Sequence, residues 1–441
     1  MPKVSSKLKK PLQRPKGTYD ILPDDQKYWE KARKVVKNIA LSYGFERIDT
    51  PVIEYSDLYA ASVGAATDII EKQMYSFKSR GGDMLSLRPE WTAGVMRAFI
   101  ENGMVNLSQP VKLYSFGPIF RYEQPQAGRY RQFFQANLEA IGSVDPIYDA
   151  QMISAFLIIC NELGLKNLKV EINSIGCGKC RPPFRNQLLR YYKPRFTKLC
   201  KDCKRRLKDN PLRLLDCKEE TCQELKANAP NLIDNLCEDC HDHFKSVLEY
   251  LDETEVPYAL NLHLVRGLDY YTKTVFEVFL EDEHLNNGDE KTHQRSKLAL
   301  GGGGRYDELS KLLGGRDVPA VGAGIGIDRV IEAMKSQNVK IAPLLRPEIF
   351  LVQLGSLSKK KCLKLFEELR KDGLSVAEAF GKDSIKAQLK AADRLGVKIS
   401  LILGQKEVVD GMIIVREMDS GVQESVPIEK VIKVVREKLK K

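Results

Sequence analysis

The chain has 441 residues, which is too many for one hydrophobic core, so we expect two or three domains. Hydrophobic residues make up 43% of it and charged residues 29%, as in ordinary soluble globular proteins. No apolar run approaches the roughly 18 residues that cross a bilayer, and no apolar segment follows the lysine-rich start, which excludes a membrane span and a secretory signal. We therefore expect a cytoplasmic protein, and its net charge of +11 favours a polyanionic partner.

The chain begins with a basic tail, followed by mixed helix and strand patterns. Residues 1–16 hold six lysines and arginines and no acidic residue, which is typical of a tail. Apolar side chains recur at helical spacing from Trp29 to Ala40, and Gly44 marks the predicted end of this helix. Two strands are predicted, at Val111–Arg121 and Phe133–Ile141, and the polar turn between them makes a long hairpin.

The composition changes after residue 175. Residues 176–257 contain eight of the ten cysteines, and 13 lysines and arginines stand against three aspartates in 181–218, which favours nucleic acid. Strand patterns resume at Tyr258, and from residue 346 strands and helices alternate, which predicts a small, largely parallel α/β domain. The predicted parts are a basic tail (1–16), a main domain in two parts (17–175 and 258–340), a Cys-rich insertion (176–257) and a C-terminal domain (346–441).

Three segments place an arginine where it can reach a phosphate or a carboxylate. Arg121 ends one strand of the hairpin, where a rigid guanidinium can bind two oxygens at once. Arg266 precedes a glycine and two tyrosines, so a ligand can approach the backbone beside two hydroxyl groups. Arg329 opens a helix after the alternating glycines of 322–326. Those glycines lack the spacing of a dinucleotide site, and Gly301–Gly304 lack the lysine of a phosphate-binding loop.

Taken together, these segments resemble the motifs of the class IIa aminoacyl-tRNA synthetases in the form that the histidyl-tRNA synthetase family has. The matching segments are Lys16–Pro23, Gly44–Val52, Leu87–Thr92, Phe120–Glu123 with Arg129–Phe133, Arg266–Tyr271, Gly302–Asp307 and Gly324–Arg329. The likeness runs from residue 16 to the C-terminus, and several matches in the right order leave little room for chance. The C-terminal domain resembles the anticodon-binding domain of this class.

The resemblance implies an α+β fold, with the antiparallel sheet of a class II synthetase flanked by helices. A Cys-rich domain is inserted into it, and a C-terminal α/β anticodon-binding domain follows. The implied activity is the ligation of L-histidine to tRNA(His) by a homodimer, with ATP as substrate together with Mg²⁺. Histidine attacks the α-phosphate to give histidyl-adenylate, the tRNA then takes the histidyl group, and pyrophosphate and AMP are released. Such chemistry depends on positioning and charge stabilisation, which suits arginines.

The resemblance also implies roles for individual residues. The catalytic set is Arg121, Arg266 and Arg329, and the ATP-binding set is Arg121, Glu123 and Arg329. The histidine-binding set is Glu90, Trp91, Thr92, Gln135, Glu139, Tyr270 and Tyr271. Within it, Glu139 and Tyr271 are expected to read the imidazole, which offers one hydrogen-bond donor and one acceptor. The family usually carries other residues at Trp91, Gln124 and Phe134, which leaves the detailed shape of the pocket open.

The cysteines of the insertion have the spacing of metal ligands. They are Cys177 and Cys180, Cys200 and Cys203, Cys217 and Cys222, and Cys237 and Cys240. Three of these pairs are C-x2-C, in which two thiolates can chelate one tetrahedral ion, so eight ligands make two structural Zn²⁺ sites of four thiolates each. The alternative is a set of reduced thiols without metal, and the resemblance itself does not require zinc. We also hypothesise that the basic half of the insertion grips the acceptor arm of tRNA.

Three alternative functions stay open at this stage. One is a regulatory paralogue that partners an ATP-phosphoribosyltransferase in histidine biosynthesis, which typically lacks the anticodon domain and catalytic motif residues. Another is a tRNA-sensing accessory protein on an inactive synthetase core, and a third is a synthetase for threonine, proline or glycine. The retained Arg121, Arg266 and Arg329 argue against the first two, and Arg266–Tyr271 argues against the third.

Overall fold

The computed structural model describes residues 12–64, 67, 69–125, 128–282, 296–342 and 346–440. Residues 1–11, most of the predicted basic tail, lie outside these ranges. The chain divides into two compact units between Ile341 and Ala342. Within the described ranges, no helix is both long enough and apolar enough to cross a membrane.

The first unit alternates helices and strands along the chain. Its described strands are β1 (Glu46–Arg47), β2 (Ile53–Tyr55), β3 (Ser76–Lys78), β4 (Met84–Leu87), β5 (Val111–Phe120), β6 (Gln132–Ile141), β7 (Leu168–Ser174), β8 (Tyr258–Leu260), β9 (Thr272–Asp282), β10 (Ser296–Arg305) and β11 (Ala320–Gly326). Its described α-helices are α1 (Gln26–Ser42), α2 (Ser56–Val63), α3 (Thr92–Glu101), α4 (Ile147–Glu162), α5 (Arg181–Tyr192), α6 (Lys201–Asp209), α7 (Glu220–Lys226), α8 (Glu238–Glu253), α9 (Leu309–Leu312) and α10 (Ile327–Ser336). The predicted first helix is confirmed as α1, and Gly44 just beyond it has a φ of 78°, which glycine adopts readily.

A large central sheet organises the first unit. Eight of the described strands form it in the order β1-β5-β6-β11-β10-β9-β7-β8. The inner strands pair antiparallel, whereas the edge strands β1 and β8 run parallel to β5 and β7. The predicted hairpin is confirmed, since β5 pairs with β6 from Val111 opposite Ile141 to Phe120 opposite Gln132. The expected class II sheet flanked by helices is therefore confirmed.

One face of the central sheet is covered by α1, α4, α8 and α10. Their apolar side chains, among them Val36, Phe156, Val247 and Ile331, form one buried cluster with Phe276 of β9. Phe156 has no exposed surface, and burying a side chain of this size contributes about 1.5–3 kcal/mol. This face therefore supplies the core that keeps the sheet rigid.

The opposite face carries α3 and most of the Cys-rich insertion. The chain leaves the sheet after β7 and returns at β8, and the regular structure between these strands is helical. Phe99 of α3 and Leu207 of α6 belong to the buried cluster on this side, together with Tyr270, Tyr271 and Tyr306. The tyrosines of Arg266–Tyr271 and Gly302–Asp307 are therefore enclosed between the sheet, α3 and the insertion.

A buried ion pair ties β10 to α4. Arg305 and Asp149 have no exposed surface, and the Arg305 guanidinium donates to both Asp149 carboxylate oxygens. His243 of α8 lies 3.3 Å from the same carboxylate. Burial opposes ionisation of Asp149, but the charge of Arg305 and the bonds from His243 and Arg305 outweigh it and lower the pKa to about 2. This ion pair therefore holds the C-terminal end of β10, within the Gly302–Asp307 segment, against α4.

The second unit is a five-stranded sheet with helices. Its described elements are β12 (Ile349–Gln353), α11 (Ser356–Lys371), β13 (Val376–Glu378), α12 (Ile385–Leu395), β14 (Ile399–Leu403), α13 (Gln405–Val409), β15 (Met412–Glu417), β16 (Gln423–Pro427) and α14 (Val431–Leu439). The order of the strands is β13-β12-β14-β15-β16. β12 pairs parallel with β13 and β14, but β14 with β15 and β15 with β16 are antiparallel. The expectation of a largely parallel sheet is wrong for this half, because the links to β15 and β16 are shorter than the dozen or so residues that a parallel crossover needs.

Candidate active site

Three arginines that are remote in sequence line one cavity of about 210 Å³. Arg121 follows the last residue of β5, Arg266 precedes β9, and Arg329 lies in the first turn of α10. β5 and β11 both pair antiparallel with β6, so Arg121 and Arg329 come to the same end of the sheet. Arg266 precedes β9 at the opposite end, and its side chain reaches the cavity over the face of the sheet, beside Glu277 and Gly302. The structure thus brings together the three arginines that the sequence singled out.

The guanidinium groups of two of these arginines are held by backbone carbonyls. Arg121 Nε donates to the Pro89 carbonyl at 2.9 Å, and its guanidinium lies 5.6 Å from the centre of the Phe133 ring. Arg329 donates through Nε to the Gly128 carbonyl at 3.0 Å and through Nη1 to the Ala299 carbonyl at 2.7 Å. Burial lowers the pKa of both arginines below the ordinary value, so an anion in the cavity would relieve a desolvation cost.

Arg266 is held differently, by a carboxylate. Its Nη1 lies 3.2 Å from Glu277 Oε1, and its guanidinium lies 6.0 Å from the centre of the Tyr271 ring. Burial lowers the pKa of Arg266, but the Glu277 carboxylate together with Tyr271 and Tyr270 outweighs it, and the net shift is upward. A Cβ at Gly302 would collide with the Phe276 carbonyl oxygen and lie 2.9 Å from Arg266 Nη1, so glycine is needed in the strand beside this guanidinium.

A buried polar cluster adjoins the cavity on the same face of the sheet. Glu139 accepts hydrogen bonds from Thr92 Oγ1, at 2.6 Å, and from the Tyr306 hydroxyl. Glu90 accepts the backbone N–H of Thr92 at 2.6 Å, and the Tyr270 hydroxyl lies 3.5 Å from its carboxylate. Burial raises the pKa of Glu139 to about 8 against the opposing effect of its hydrogen bonds. Arg266 beside Tyr271 connects this cluster to the cavity.

The absence of side chains on one face of β11, at Gly322, Gly324 and Gly326, makes room for both groups. Gly322 pairs with Glu139, and Gly326 pairs with Gln135, so these residues point to the same side of the sheet. A Cβ at Gly322 would collide with the Glu139 carboxylate, and one at Gly324 would collide with the Gln135 amide. The alternating glycines therefore leave a flat backbone surface against which long polar side chains of β6 can pack.

The structure places most of the predicted residues in one of these two groups. Arg121, Glu123, Gln135, Arg266 and Arg329 line the cavity. Glu90, Thr92, Glu139, Tyr270 and Tyr271 are buried in or beside the polar cluster. Trp91 is not brought to the cavity: its ring packs in the core under the Arg88 guanidinium, 3.6 Å away, beside Gly117.

The sequence reasoning missed several residues of the site. Glu277 lines the cavity and pairs with Arg266, and its signal was a lone acid within an apolar strand. Tyr306 lies in a segment that was recognised, but its contact with Glu139 spans the sheet and has no sequence signature. Asp328 lines the cavity as well and accepts from the Tyr19 hydroxyl and from the Phe134 N–H.

The eight cysteines of the insertion form two clusters of four. One contains Cys177, Cys180, Cys237 and Cys240, and the other contains Cys200, Cys203, Cys217 and Cys222. The four sulfurs of each cluster lie within 4.8 Å of one another. Measured separations are 3.8 Å for Cys177–Cys180 and for Cys200–Cys217, and 3.9 Å for Cys177–Cys237. A tetrahedral ion with zinc–sulfur bonds of about 2.3 Å needs sulfurs about 3.8 Å apart, so the donor sets fit zinc.

Comparison with known proteins agrees with this geometry. A family model described as histidyl-tRNA synthetase matches residues 17–179 and 196–330, and one described as anticodon binding domain matches residues 348–438. A histidine–tRNA ligase of Dehalococcoides mccartyi is 44% identical over 420 residues, which cover 95% of this chain and 98% of the relative. The chain belongs to the histidyl-tRNA synthetase family.

Solved structures of known proteins resemble this chain over most of its length. The apo histidyl-tRNA synthetase of S. aureus is similar with a TM-score of 0.78 and 33% identity, covering 96% of this chain and 99% of that one. An ATP phosphoribosyltransferase regulatory subunit/histidyl-tRNA synthetase of Bacillus halodurans has a TM-score of 0.60 at 21% identity, covering 90% of this chain and 99% of that one. The second likeness shows a shared fold alone.

The raised pKa of Glu139 predicts a stability that depends on pH. An unfolded glutamate has a pKa of about 4.3, so between that value and about 8 the unfolded chain has lost a proton that the folded chain keeps. The contribution of Glu139 to stability is complete below pH 4.3 and decreases as the pH rises to 8. In urea unfolding at pH 5, 6, 7 and 8, the free energy of unfolding of Glu139→Gln should rise relative to that of the wild type as the pH increases. The total rise should be a few kcal/mol, on the order expected for such a shift in pKa.

A matched control is Glu162→Gln, which changes an exposed glutamate on α4. Its unfolding free energy should run parallel to that of the wild type at all four pH values. Parallel curves for Glu139→Gln as well would show that the carboxyl is already ionised at pH 5.

Proposed function

We propose that the cavity and the polar cluster are the active site for ATP-dependent ligation of L-histidine to tRNA(His) through a histidyl-adenylate. The family to which the chain belongs carries out this ATP-dependent charging. The observation that carries the proposal is the convergence of Arg121, Arg266 and Arg329 on one cavity beside the buried Glu139. The protein needs ATP with Mg²⁺ as substrate, and we expect it to act in the cytoplasm.

The arginines position the phosphates of ATP. A carboxylate oxygen of histidine attacks the α-phosphorus, the bond from that phosphorus to the oxygen bridging to the β-phosphate breaks, and pyrophosphate leaves. Arg121 and Arg266 are assigned to the α-phosphate, where negative charge grows, and Arg329 to the γ-phosphate. Glu123 is assigned to the adenine side of ATP. Preorganised guanidinium groups stabilise the transition state because they are already desolvated and held in place.

The polar cluster is assigned to histidine. The imidazole offers one donor and one acceptor, which the Glu139 carboxylate and the Tyr271 hydroxyl can satisfy. Glu90, Thr92 and Gln135 are assigned to the amino group, and Tyr270 lies beside them. Glu90 also accepts the N-terminal N–H groups of α3, which fixes its carboxylate. A pocket that hydrogen-bonds its ligand rejects apolar analogues by about 10⁴-fold or more.

Trp91 is assigned an indirect role in the histidine pocket, because it contacts residues that hold the pocket and not the pocket itself. Its ring supports Arg88, and Arg88 donates to the Pro118 carbonyl at 2.8 Å and to the Thr50 carbonyl at 2.8 Å. Trp91 is therefore proposed to act as a wall that keeps the β5 end in position rather than as a hydrogen-bond partner.

The tRNA is proposed to contact both units. The C-terminal unit, which contains the match to the anticodon-binding domain, is assigned to the anticodon. The active-site cavity opens into a wider one of about 820 Å³, to which the insertion contributes Lys201, Arg206, Arg213 and Lys218 as well as acidic residues. Basic groups at the mouth suit the phosphates of the acceptor end, which must bring its terminal adenosine to the adenylate.

A homodimer is supported by an apolar surface on the small sheet β2-β4-β3. Pairing places Tyr55, Leu85 and Phe77 in one row and Ile53 opposite Leu87, so all five project from the same face. Tyr55 is 62% exposed, Ile53 47% and Phe77 41%. The opposite face holds the buried polar residues Glu54 and Ser86, which inverts the usual pattern. Such a face fits an interface with a second copy of the chain.

Zinc is proposed for both cysteine clusters. Each offers four sulfurs at the separations of a tetrahedral site, and backbone N–H groups point at them, as from Cys237 to Cys180 Sγ at 3.2 Å and from Cys203 to Cys200 Sγ at 3.4 Å. A closed site of four thiolates is structural, because no position is left for a substrate. The metal would crosslink the four helices of an insertion that otherwise has a small core.

Metal analysis checks the zinc proposal. Protein purified without chelator should contain about two zinc ions per chain by mass spectrometry. Cys222→Ser and Cys177→Ser should each lose about one ion and keep the other, because the clusters are separate. Cys362→Ala, which changes a buried cysteine of the second unit, should keep both. Less than about a tenth of an ion per wild-type chain would end this proposal.

Sedimentation checks the homodimer. The wild type should sediment at about twice the mass of the 49.9 kDa chain, and Tyr55→Asp should sediment as a monomer because the charge enters a two-fold interface twice. Leu357→Asp changes an exposed apolar residue of α11 and should leave the dimer intact. A wild type that stays monomeric at micromolar concentration contradicts the assignment of this face.

ATP–pyrophosphate exchange with each of the twenty amino acids checks the activity. Only histidine should support exchange, and Arg266→Ala and Glu139→Ala should each lower it at least about 10³-fold. Arg316→Ala changes an exposed arginine and should exchange normally. Near-normal exchange in either site variant removes that residue from the site, and no exchange in the wild type would favour a regulatory protein on the same fold.

A further inference from the structure

The segment that carries Arg266, Tyr270 and Tyr271 has no regular structure of its own. Residues 261–271 form neither helix nor strand, and its internal backbone bonding includes the Leu264 N–H to the Asn261 carbonyl at 2.9 Å. A segment of this kind keeps its conformation only if neighbouring groups hold it. Its position matters because it joins the phosphate cavity to the polar cluster.

Three side chains of the insertion hold this segment. Arg181 donates to the Tyr271 carbonyl, Asn210 Nδ2 donates to Asp269 Oδ1 at 3.0 Å, and Arg213 Nη1 donates to the Arg266 carbonyl at 3.4 Å. Both arginines also lie close enough to the Asp269 carboxylate for their charges to lower its pKa, although burial outweighs them and the net shift is upward. We call Arg181, Asn210 and Arg213 the clamp.

Each member of the clamp lies close in sequence to the cysteines of one cluster. Arg181 directly follows Cys180 and begins α5. Asn210 and Arg213 lie between Cys203 and Cys217, with Arg213 in the short 3-10 helix Pro211–Asp216. A metal bound by the second cluster would close the loop from residue 203 to residue 217 and so limit where Asn210 and Arg213 can lie. One bound by the first cluster would fix the start of α5 in the same way.

We propose that the two metal centres of the insertion position the histidine-recognition segment Arg266–Tyr271 through the clamp, so that metal loading sets the affinity for histidine in the absence of tRNA. The inference rests on the proposed function and on zinc in the cysteine clusters. It differs from a role of the insertion in tRNA binding alone, because that role predicts normal adenylate formation after the metal is lost. The clamp residues are positioning residues, since they touch the backbone of the segment and Asp269 rather than the substrate.

Variants of the clamp test the idea with both metals in place. Asn210→Ala and Arg213→Met should each raise the KM for histidine in pyrophosphate exchange about ten-fold, change the KM for ATP less than two-fold, and keep the zinc content of the wild type. Amide hydrogen exchange at residues 262–273 should become faster. Arg213→Lys keeps a donor and should recover part of the loss. Arg190→Met changes an exposed arginine of α5 and should match the wild type in every measurement.

Removal of the metal from the full-length wild type forms the second arm. Protein depleted with a chelator should show the same rise in the KM for histidine and the same faster amide exchange, and added Zn²⁺ should restore both. A wild-type KM for histidine in both clamp variants overturns the proposal. So does a depleted protein that keeps the wild-type KM and protection at residues 262–273. If depletion unfolds the chain, the clamp variants decide alone, because they retain their zinc.

These outcomes are separate from failure of the proposed function. If the wild type shows no histidine-dependent exchange, the assigned activity is wrong, whatever the clamp variants do. If the wild type exchanges and the variants exchange equally well, only the role of the clamp is wrong.

Discussion

The site depends on one constraint, the absence of side chains along one face of β11. Gly322 and Gly324 leave the space in which the Glu139 carboxylate and the Gln135 amide lie across the face of the sheet. On most strands that face would carry side chains of the usual size, and neither polar group could lie flat against the backbone. The glycines therefore exchange local β-propensity for a polar surface inside the fold, at a cost of roughly 0.5–1 kcal/mol each relative to alanine.

A second constraint is the burial of charge around that surface. Arg121 and Arg329 are held by backbone carbonyls and Arg266 by Glu277, so each guanidinium keeps a fixed direction. A buried charge that is only partly compensated is unfavourable for the empty protein, and an anionic ligand relieves that cost. Arg121 and Arg329, which are proposed to bind phosphates, are thus buried charges that their partners compensate only in part.

The insertion covers one side of this site and also forms hydrogen bonds to the Arg266–Tyr271 segment within it. Its helices α5, α6 and α7 pack on the face of the sheet that holds the tyrosines, and its polar side chains bond to the Arg266–Tyr271 segment. Arg181 directly follows Cys180 of one cysteine cluster, and Arg213 lies between Cys203 and Cys217 of the other. The Arg266–Tyr271 segment is therefore held from two sides, by Glu277 of the sheet and by side chains of the insertion.

The sequence by itself determined the elements whose signals are local. The periodicity of α1, the stop at Gly44 and the hairpin of β5 and β6 follow from neighbouring residues, and the order of the arginine segments identified the family. Tertiary structure decided the rest, because it depends on residues far apart in the chain: which cysteines share a cluster, the contact of Tyr306 with Glu139, and the packing of Trp91 under Arg88 away from the cavity. The direction of β15 and β16 was predicted wrongly, because alternation of strands and helices suggested parallel pairing, whereas the links before these two strands are too short for a parallel crossover.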